Sequence, residues 1–278
     1  MNKTIAALYF GTSLLAAAVA TKVIVDRRAK DPSESLLDSL LHETPLEEAF
    51  EDELGIPIYQ SRDISADWRN ERVFRLAQAY RELEANWDHL PEQFASVDAL
   101  FILGRDGSAV GKADPEEGDI YLYCMGRDQC ANSRVLLHEL AHLFSANFGP
   151  NFWNSWQSIS GNGYHGLENL SGPRCSAAMD DVAAVSCHGA KNVLEDVAEV
   201  VQFVYDTNYT PSAQYRFSPE NIPRIGEKIL LLHRYEAFSD EELHGALQWL
   251  AQYNLRALTG RSAYPEAPVI RISLESAY

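Results

Sequence analysis

Two histidines and a glutamate at close spacing are the residues of this chain whose types and positions could do chemistry. His138, Glu139 and His142 lie within residues 133–147, which contain no Pro or Gly and are rich in Leu and Ala. This composition favours a helix, on which residues four apart share one face. The two imidazoles can then bind one zinc ion, and Glu139 lies beside them, where it could activate a metal-bound water.

A histidine on an apolar helix is in general more often a packed or surface residue than a metal ligand. Here both histidines and the glutamate fall together on a strongly helical segment flanked by apolar residues, as expected for a buried active-site helix. This context favours the zinc interpretation.

The third ligand must come from further along the chain, because two histidines and a water leave tetrahedral zinc one ligand short. The candidates are His165, His188, Glu195, Asp196 and Glu199. Metzincins carry a Gly and a His soon after the second ligand, and the sequence LFSANF after His142 excludes that class. Glu195 and Glu199 share one face of a predicted helix, so one can complete the site while the other fixes a ligating imidazole. The alternative is that the acidic residues form an ordinary solvated face.

These motifs resemble those of a known family. The pattern His-Glu-x-x-His with a distant Glu is similar to the gluzincin peptidases. Residues 187–199, CHGAKNVLEDVAE, resemble the second zinc helix of the anthrax lethal factor catalytic domain and the secreted Pro-Pro endopeptidases, which reads aromatic-Gly-x-x-Asn-x-x-Glu-x-x-Ala-Glu. The resemblance covers roughly residues 111–205. It implies Glu195 as the third zinc ligand, Glu199 as a hydrogen-bonding partner of a ligating histidine, and one Zn²⁺ per chain.

His188 departs from the family pattern. The family has a Tyr at this position, which donates a hydrogen bond to the oxyanion of the tetrahedral intermediate. An imidazole N–H can fill the same role, so that His188 is a candidate catalytic residue alongside Glu139, the general base. The alternative is a structural histidine on a loop held by Cys187.

The elements that must position these residues follow from periodicity and turn signals. Helices are predicted over residues 65–87, 133–147, 192–205, 222–237 and 241–258. Gly149-Pro150 ends the second of these, and Ser239 and Glu242 form a capping box at the start of the last. Strands are predicted over 97–103, 119–124 and 269–272, and a turn over 111–118. Residues 150–190 are predicted to be a long functional loop, whose aromatic residues Trp153, Trp156 and Tyr164 either line a substrate pocket or pack the loop down. The predicted fold is α+β and zincin-like, with a small mixed sheet over the active-site helix and a mainly helical C-terminal part. In zinc peptidases the edge strand of such a sheet can pair with an extended substrate.

The ends of the chain and its composition indicate export. Residues 1–20 have the charge, apolar run and Ala-Val-Ala ending of a secretory signal peptide, although an uncleaved membrane anchor extending to about residue 25 is the alternative. Residues 21–60 are expected to be an acidic linker or pro-segment, and residues 61–278 the peptidase domain.

The net charge of −17 argues against nucleic acid and anionic lipid as partners. Four cysteines predict two short-loop disulfides, Cys124–Cys130 and Cys175–Cys187, with free buried thiols as the alternative.

The expected function is therefore a secreted or periplasmic zinc metallo-endopeptidase that acts on polypeptide. A second hypothesis is a catalytically inactive zincin-fold binding module with a structural or absent zinc. In that case His165 or His188 would act as a fourth protein ligand that closes the site. A third is a zinc hydrolase acting on cell-wall peptide or another amide. Contact with a membrane is expected only if the N-terminal segment remains as an anchor.

Overall fold

A computed structural model of the chain describes residues 46–60, 66–87, 90–104, 111–124, 132–161, 163, 164, 166, 172–209, 215 and 217–259. The predicted signal peptide or anchor, His165, and a predicted strand at residues 269–272 lie outside these ranges. Among the helices in this part of the chain, none is both long enough and apolar enough to cross a bilayer.

The chain divides into two compact units, residues 1–55 and residues 56–278. In the first unit, helix α1 spans Leu46–Leu54. It ends at Gly55, which has a φ of 72° and whose backbone N–H donates to the carbonyl of Glu51 at 2.7 Å. Glycine adopts this left-handed conformation without a steric penalty, which explains the helix end. All the elements described below belong to the second unit.

A four-stranded mixed sheet forms one layer of the second unit. Its strands are β1 Ile58–Gln60, β2 Ala99–Gly104, β3 Gly111–Asp114 and β4 Asp119–Cys124, in the order β1-β2-β4-β3. β1 and β4 both run parallel to β2, and β3 pairs antiparallel with β4. The predicted strands at 97–103 and 119–124 are thus confirmed as β2 and β4.

The predicted turn over residues 111–118 is wrong in its first half, because Gly111–Asp114 is the edge strand β3. The polar sequence Gly-Lys-Ala-Asp has no apolar alternation, so nothing local indicates a strand. The strand forms because the following turn folds it back onto β4. β1 also lies within residues 21–60, where the sequence indicated no strand.

The two faces of the sheet differ. One face is fully buried and carries Leu100, Ile102, Ile120 and Leu122. On the other face Tyr59, Phe101 and Tyr121 occupy one cross-strand row, with ring centroids 5.0 Å and 4.7 Å apart. Lys112 of β3 continues this row, with its Nζ 5.6 Å from the Tyr121 ring centroid. Stacked cross-strand pairs stabilise the pleated surface at a face that no apolar layer covers.

The helices supply the rest of the second unit. They are α2 Ala66–Asn86, α3 Leu90–Phe94, α4 Ser133–Ala146, α5 Pro150–Ser160, α6 Gly172–Val182, α7 Val193–Tyr209, α8 Ile222–Arg234 and α9 Asp240–Thr259, with a 3₁₀ turn at Pro219–Asn221. The α+β fold class and the mainly helical C-terminal part are confirmed. The Ser239–Glu242 capping box is also confirmed, since the Glu242 N–H donates to Ser239 Oγ and the Ser239 N–H to Glu242 Oε2.

The prediction of a long loop over residues 150–190 is wrong, because α5 and α6 fall within it. Gly149-Pro150 ends α4, as predicted, but also starts α5, where Pro150 occupies the first turn and needs no N–H partner. Trp156 is fully buried and donates from Nε1 to Asp196 Oδ2 at 3.0 Å. Of the two interpretations of the aromatic residues, Trp156 therefore supports packing.

Helices α4 and α7 pack against each other and run antiparallel. Arg134 at the start of α4 pairs with Asp206 near the end of α7, with Nη2 and Oδ2 2.7 Å apart. His142, two turns further along α4, faces Glu195 at the start of α7, with Nε2 and Oε2 3.5 Å apart. The buried apolar residues of the two helices include Leu136, Leu137, Leu140, Ala141, Val197, Val200, Val201 and Val204. The interface thus has an apolar side that fixes the helices and a polar side that holds the candidate site.

A buried ion pair fixes the start of α7 from behind. Lys228 and Asp196 are both fully buried, and Lys228 Nζ donates to Asp196 Oδ2 at 2.6 Å and to the carbonyls of Val182 and Ala183 at 2.7 and 3.1 Å. All three ammonium hydrogens therefore have acceptors. Burial lowers the pKa of Lys228, and the facing carboxylate opposes that shift. The pair joins α8, the end of α6 and the start of α7.

We expect Lys228→Met to lower the free energy of unfolding by about 3–5 kcal/mol, because it leaves the Asp196 carboxylate buried without its cation. Chemical denaturation at neutral pH measures the loss. Arg75→Met is the matched control: it breaks the exposed Arg75–Glu71 pair of α2 (side chains 43% and 44% exposed) and should cost less than about 1 kcal/mol. Equal effects of the two substitutions would contradict this role for Lys228.

Candidate metal centre

The paired histidines lie where the sequence predicted them, on one face of α4. The helix is capped by Asn132, whose Oδ1 accepts from the backbone N–H of Val135 at 3.0 Å. One helical turn separates His138 from His142, and their Nε2 atoms are 3.2 Å apart. His138 is 9% exposed. Both side chains therefore present the same nitrogen to one point.

Glu195 brings a carboxylate oxygen to that point from the first turn of α7. Its Oε2 lies 3.1 Å from His138 Nε2 and 3.5 Å from His142 Nε2. Zinc holds imidazole nitrogen and carboxylate oxygen at about 2.0–2.2 Å, so ligand atoms at tetrahedral corners are about 3.3 Å apart. The three donor atoms show this spacing, and the residues therefore fit a zinc ion bound by His138, His142 and Glu195.

His188 is the fourth group at this point. Its Nε2 is 2.8 Å from Glu195 Oε2, and its ring centroid is 5.4 Å from that of His138. His138, His188 and Glu195 also offer atoms close enough together to share a metal ion. The 2.8 Å separation is a hydrogen-bond distance and is shorter than the edge of a zinc tetrahedron. The side chain is 42% exposed, so it faces the open side of the site.

The turn that carries His188 is fixed on both sides. Cys187 forms a disulfide with Cys175 of α6, which confirms that predicted pairing. Gly189 lies against α7, where a Cβ would meet the Asp196 Cα at 3.3 Å, and its N–H donates to Ser186 Oγ at 3.0 Å. The predicted Cys124–Cys130 disulfide lies outside the described residues, because Cys130 is among those not described.

Glu199 lies on the other side of the His138 ring, one helical turn beyond Glu195. Its Oε1 is 3.5 Å from His138 Nδ1. The ring thus lies between two carboxylates of α7, with Nε2 at the shared point and Nδ1 towards Glu199. An outer carboxylate in this position orients a ligating imidazole and fixes its tautomer.

The electrostatics of the site follow from burial and from these contacts. Burial acts to lower the pKa of His138, but the hydrogen bond to Glu195 and the charges of Glu139 and Glu199 raise it overall. Burial acts to raise the pKa of Glu195, and hydrogen bonds from three imidazoles outweigh it and hold that pKa far below its usual range. Glu195 is therefore a carboxylate at any ordinary pH, as a metal ligand must be.

Glu139 lies against the edge strand β3 and within electrostatic reach of His138, His142 and Glu195. It is 5% exposed, and burial raises its pKa. A Cβ added to Gly111 would lie 2.7 Å from both Cγ and Cδ of Glu139. The absence of a side chain at Gly111 therefore gives the Glu139 carboxylate its place under the strand. Sequence reasoning missed Gly111 because it was assigned to a turn.

These residues lie in an open cleft of about 1050 Å³ between β3, α4 and the start of α7. Asp196, one of the candidate ligands, does not reach it, because its side chain pairs with Lys228 on the opposite face of α7. The cleft is also lined by Lys112, Arg134 and Lys191, which the sequence did not single out. For Arg134 the sequence did contain a signal, because Arg134 precedes His138 by four residues and therefore lies on the same helix face.

Comparisons with known proteins give limited guidance. No protein-family model and no curated protein matches the chain. Among solved structures, a candidate zinc-binding metallo-peptidase from Bacteroides caccae is similar, with 15% sequence identity and a TM-score of 0.47, over 83% of this chain and 96% of that protein. This likeness is too low to carry a conclusion about the family or the activity of this chain.

We expect His138→Ala and Glu195→Gln to weaken zinc binding by more than the roughly 10–100-fold that loss of an outer partner such as Glu199 costs. Isothermal titration of the metal-free protein with zinc gives the affinities. His244→Ala, on the remote helix α9, is the matched control and should leave affinity unchanged. Loss of zinc binding in the control, or unchanged binding in Glu195→Gln, would contradict this ligand set.

His188→Ala distinguishes an open site from a closed one. If His138, His142 and Glu195 are the complete protein ligand set, this variant binds zinc within about tenfold of the unsubstituted protein, a smaller loss than for a direct ligand. A loss as large as that in His138→Ala would identify His188 as a fourth protein ligand.

Proposed function

We propose that this chain is an exported zinc-dependent metallo-endopeptidase. The observation that carries the proposal is the spacing of the His138, His142 and Glu195 donor atoms, which matches a zinc tetrahedron, beside a buried carboxylate in an open cleft. A catalytic zinc site has three protein ligands and one position open to the cleft, and this arrangement fits that description. The Cys175–Cys187 disulfide is consistent with an oxidising compartment, and so with export.

A zinc ion in this site would supply Lewis acidity towards a water and towards the scissile carbonyl. The chain itself supplies the proton transfers. Glu139 takes the proton of the attacking water on a carboxylate oxygen and delivers it to the leaving amine nitrogen. Burial raises the pKa of Glu139, which makes its carboxylate a stronger base towards the proton of the water.

His188 and β3 act on the other parts of the substrate. The exposed imidazole of His188 can donate an N–H to the oxyanion that forms at the carbonyl. β3 is the edge strand of the sheet in the part of the chain that the structure describes, and its outer backbone edge can pair with an extended polypeptide beside the cleft. Pairing through the main chain suits an endopeptidase, because it is independent of the ends of the substrate.

A second candidate function rests on the contact between His188 and Glu195. If His188 is a fourth protein ligand, the site is closed to water, and the chain is a binding module with a structural zinc. The exposed position of His188 and its short distance to Glu195 Oε2 favour the catalytic arrangement.

The first test is Glu139→Gln. We expect this variant to keep its zinc and to lose peptidase activity by about 10²–10⁴-fold, because the amide cannot accept the proton. Activity is measured on a mixed peptide library, with and without a chelator, and metal content by elemental analysis. Glu220→Gln, in the 3₁₀ turn before α8, is the control and should stay fully active. Full activity in Glu139→Gln, or chelator-resistant cleavage, would overturn the proposal.

The second test is Gly111→Ala. The added Cβ displaces the Glu139 carboxylate, and a misplacement of about 1 Å costs up to about 10²-fold in rate. We expect kcat to fall by about 10–100-fold with KM and zinc content unchanged. Gly104→Ala on β2 is the matched control, because nothing lies within 4 Å of its added Cβ.

A double-mutant cycle shows whether Gly111 acts through Glu139. If it does, Gly111→Ala adds little to the loss already caused by Glu139→Gln. Additive losses would show that the strand, not the carboxylate, is what the substitution disturbs.

A further inference from the structure

The charged residues of the cleft divide into two groups. The first belongs to the candidate centre and comprises its histidines with Glu139, Glu195 and Glu199. Among the described residues, the other charged groups that line the cleft are all cations: Lys112, Arg134 and Lys191. We call these three residues the cationic rim. This composition contrasts with the chain as a whole, which has 40 acidic and 23 basic residues and a net charge of −17.

Two of the rim cations are poorly neutralised. Lys112 is 61% exposed and its Nζ is 4.0 Å from Asp114 Oδ2, a long and solvated contact. Lys191 lies half-buried in the turn after His188 and lines the cleft, and it forms no ion pair with a carboxylate of the described residues. The Lys112 ammonium lies against the Tyr121 ring, on the face of β3 opposite the one that meets Glu139, so it can reach an anionic side chain that points to that face. The Lys191 side chain borders the cleft itself and can reach an anionic ligand there.

Arg134 differs, because its guanidinium is held in place. Its Nη2 is 2.7 Å from the buried Asp206 carboxylate, and Gln202 Oε1, in the amide orientation that satisfies both groups, accepts from Nε and Nη2 at 2.9 Å. The side chain remains 53% exposed. A fixed, half-exposed guanidinium loses little further entropy when it binds a carboxylate.

The rim residues come from three segments that also carry residues of the candidate centre. Lys112 follows Gly111, which contacts the general base; Arg134 precedes His138 by one helical turn; and Lys191 is three residues beyond His188. A peptide lying along β3 across the centre would therefore meet a cation near each part of its path. The long, flexible lysine side chains can reach the side chains of such a peptide more readily than its main chain, which lies against β3.

We propose that the cationic rim selects peptides with Asp or Glu side chains flanking the scissile bond. The inference rests on the proposed function for the class of substrate. The ligand group is a carboxylate, which an acidic side chain or the C-terminus of a peptide could supply. Cations on several sides of the centre favour side chains at several positions over a single chain end.

The test uses matched peptides of one length: acidic, with Asp and Glu around a central bond; neutral, with Asn and Gln in their place; and each of these with a free or an amidated C-terminus. Binding to Glu139→Gln protein loaded with zinc is measured by fluorescence anisotropy, and cleavage by the unsubstituted protein as kcat/KM. The ionic strength is held near 0.15 M, where a screening length of about 8 Å removes most of the effect of distant charges.

We expect acidic peptides with amidated ends to bind and to be cleaved about three- to tenfold better than neutral ones, since each exposed pair contributes up to about fivefold. Lys112→Gln and Lys191→Gln should each reduce this preference by about two- to fivefold, because each removes one cation that can pair with an acidic side chain. Arg75→Gln, an exposed charge change on α2, should leave the preference intact. The two lysine variants avoid disturbing Asp206, which Arg134→Gln would leave without its cation.

Equal binding of acidic and neutral peptides, or binding of neither, would overturn the inference. So would a preference that depends only on a free C-terminus, or one that Arg75→Gln reduces as much as the rim variants. Preferential binding without cleavage would support the rim as a carboxylate site while removing the peptidase function. Cleavage of acidic and neutral peptides at equal rates would support the peptidase function and exclude the rim as a carboxylate site.

Discussion

The antiparallel packing of α4 against α7 is the constraint on which the rest of the site depends. Each helix carries an apolar side that buries leucines or valines and a polar side that faces the cleft. An α-helix has 3.6 residues per turn, so side chains four residues apart form a row along one face of each helix. The row on α4 faces the row on α7. One end of the paired rows brings His142 and His138 to Glu195, and the other brings Arg134 to Asp206. A shift of one helix by a single turn would separate every one of these pairs.

The surrounding structure holds this packing in register. Asn132 and Asn192 cap the starts of α4 and α7, each accepting from a backbone N–H three residues on at 3.0 Å. Behind α7, Asp196 Oδ2 accepts hydrogen bonds from four side chains of three other segments: Lys228, Trp156, Ser160 and Tyr164. Glu195 and Asp196 are neighbours in sequence but point to opposite sides of the helix. One faces the cleft as a candidate ligand, and the other anchors the helix in the core.

The sequence was sufficient to predict the helices that carry the centre but not all of what lies around them. Residues 133–147 and 192–205 have strong apolar periodicity and clear caps. The prediction for α4 is therefore correct to within one residue at each end, and that for α7 is correct at its start but four residues short at its end. Helical spacing placed His138 with His142 and Glu195 with Glu199, each pair on one helix face. β3 was missed because its four residues are held by pairing with β4, a contact that local sequence does not encode. α5 and α6 were missed because Gly, Ser and Asn were read as loop signals, whereas burial of Phe152 and Trp156 decides the structure there.

The close contacts between Glu195 and the histidines lead to the central claim. The Nε2 atoms of His138 and His142 and the Oε2 atom of Glu195 lie 3.1 to 3.5 Å from one another, which is close to the spacing of ligand atoms around a zinc ion. Zinc K-edge X-ray absorption of the loaded protein tests this directly. The account predicts one zinc per chain in a four-coordinate shell of two imidazole nitrogens, one carboxylate oxygen and one oxygen not from protein, all near about 2.0–2.1 Å. A shell of three imidazoles and a carboxylate, or protein that takes up no stoichiometric zinc, would contradict it.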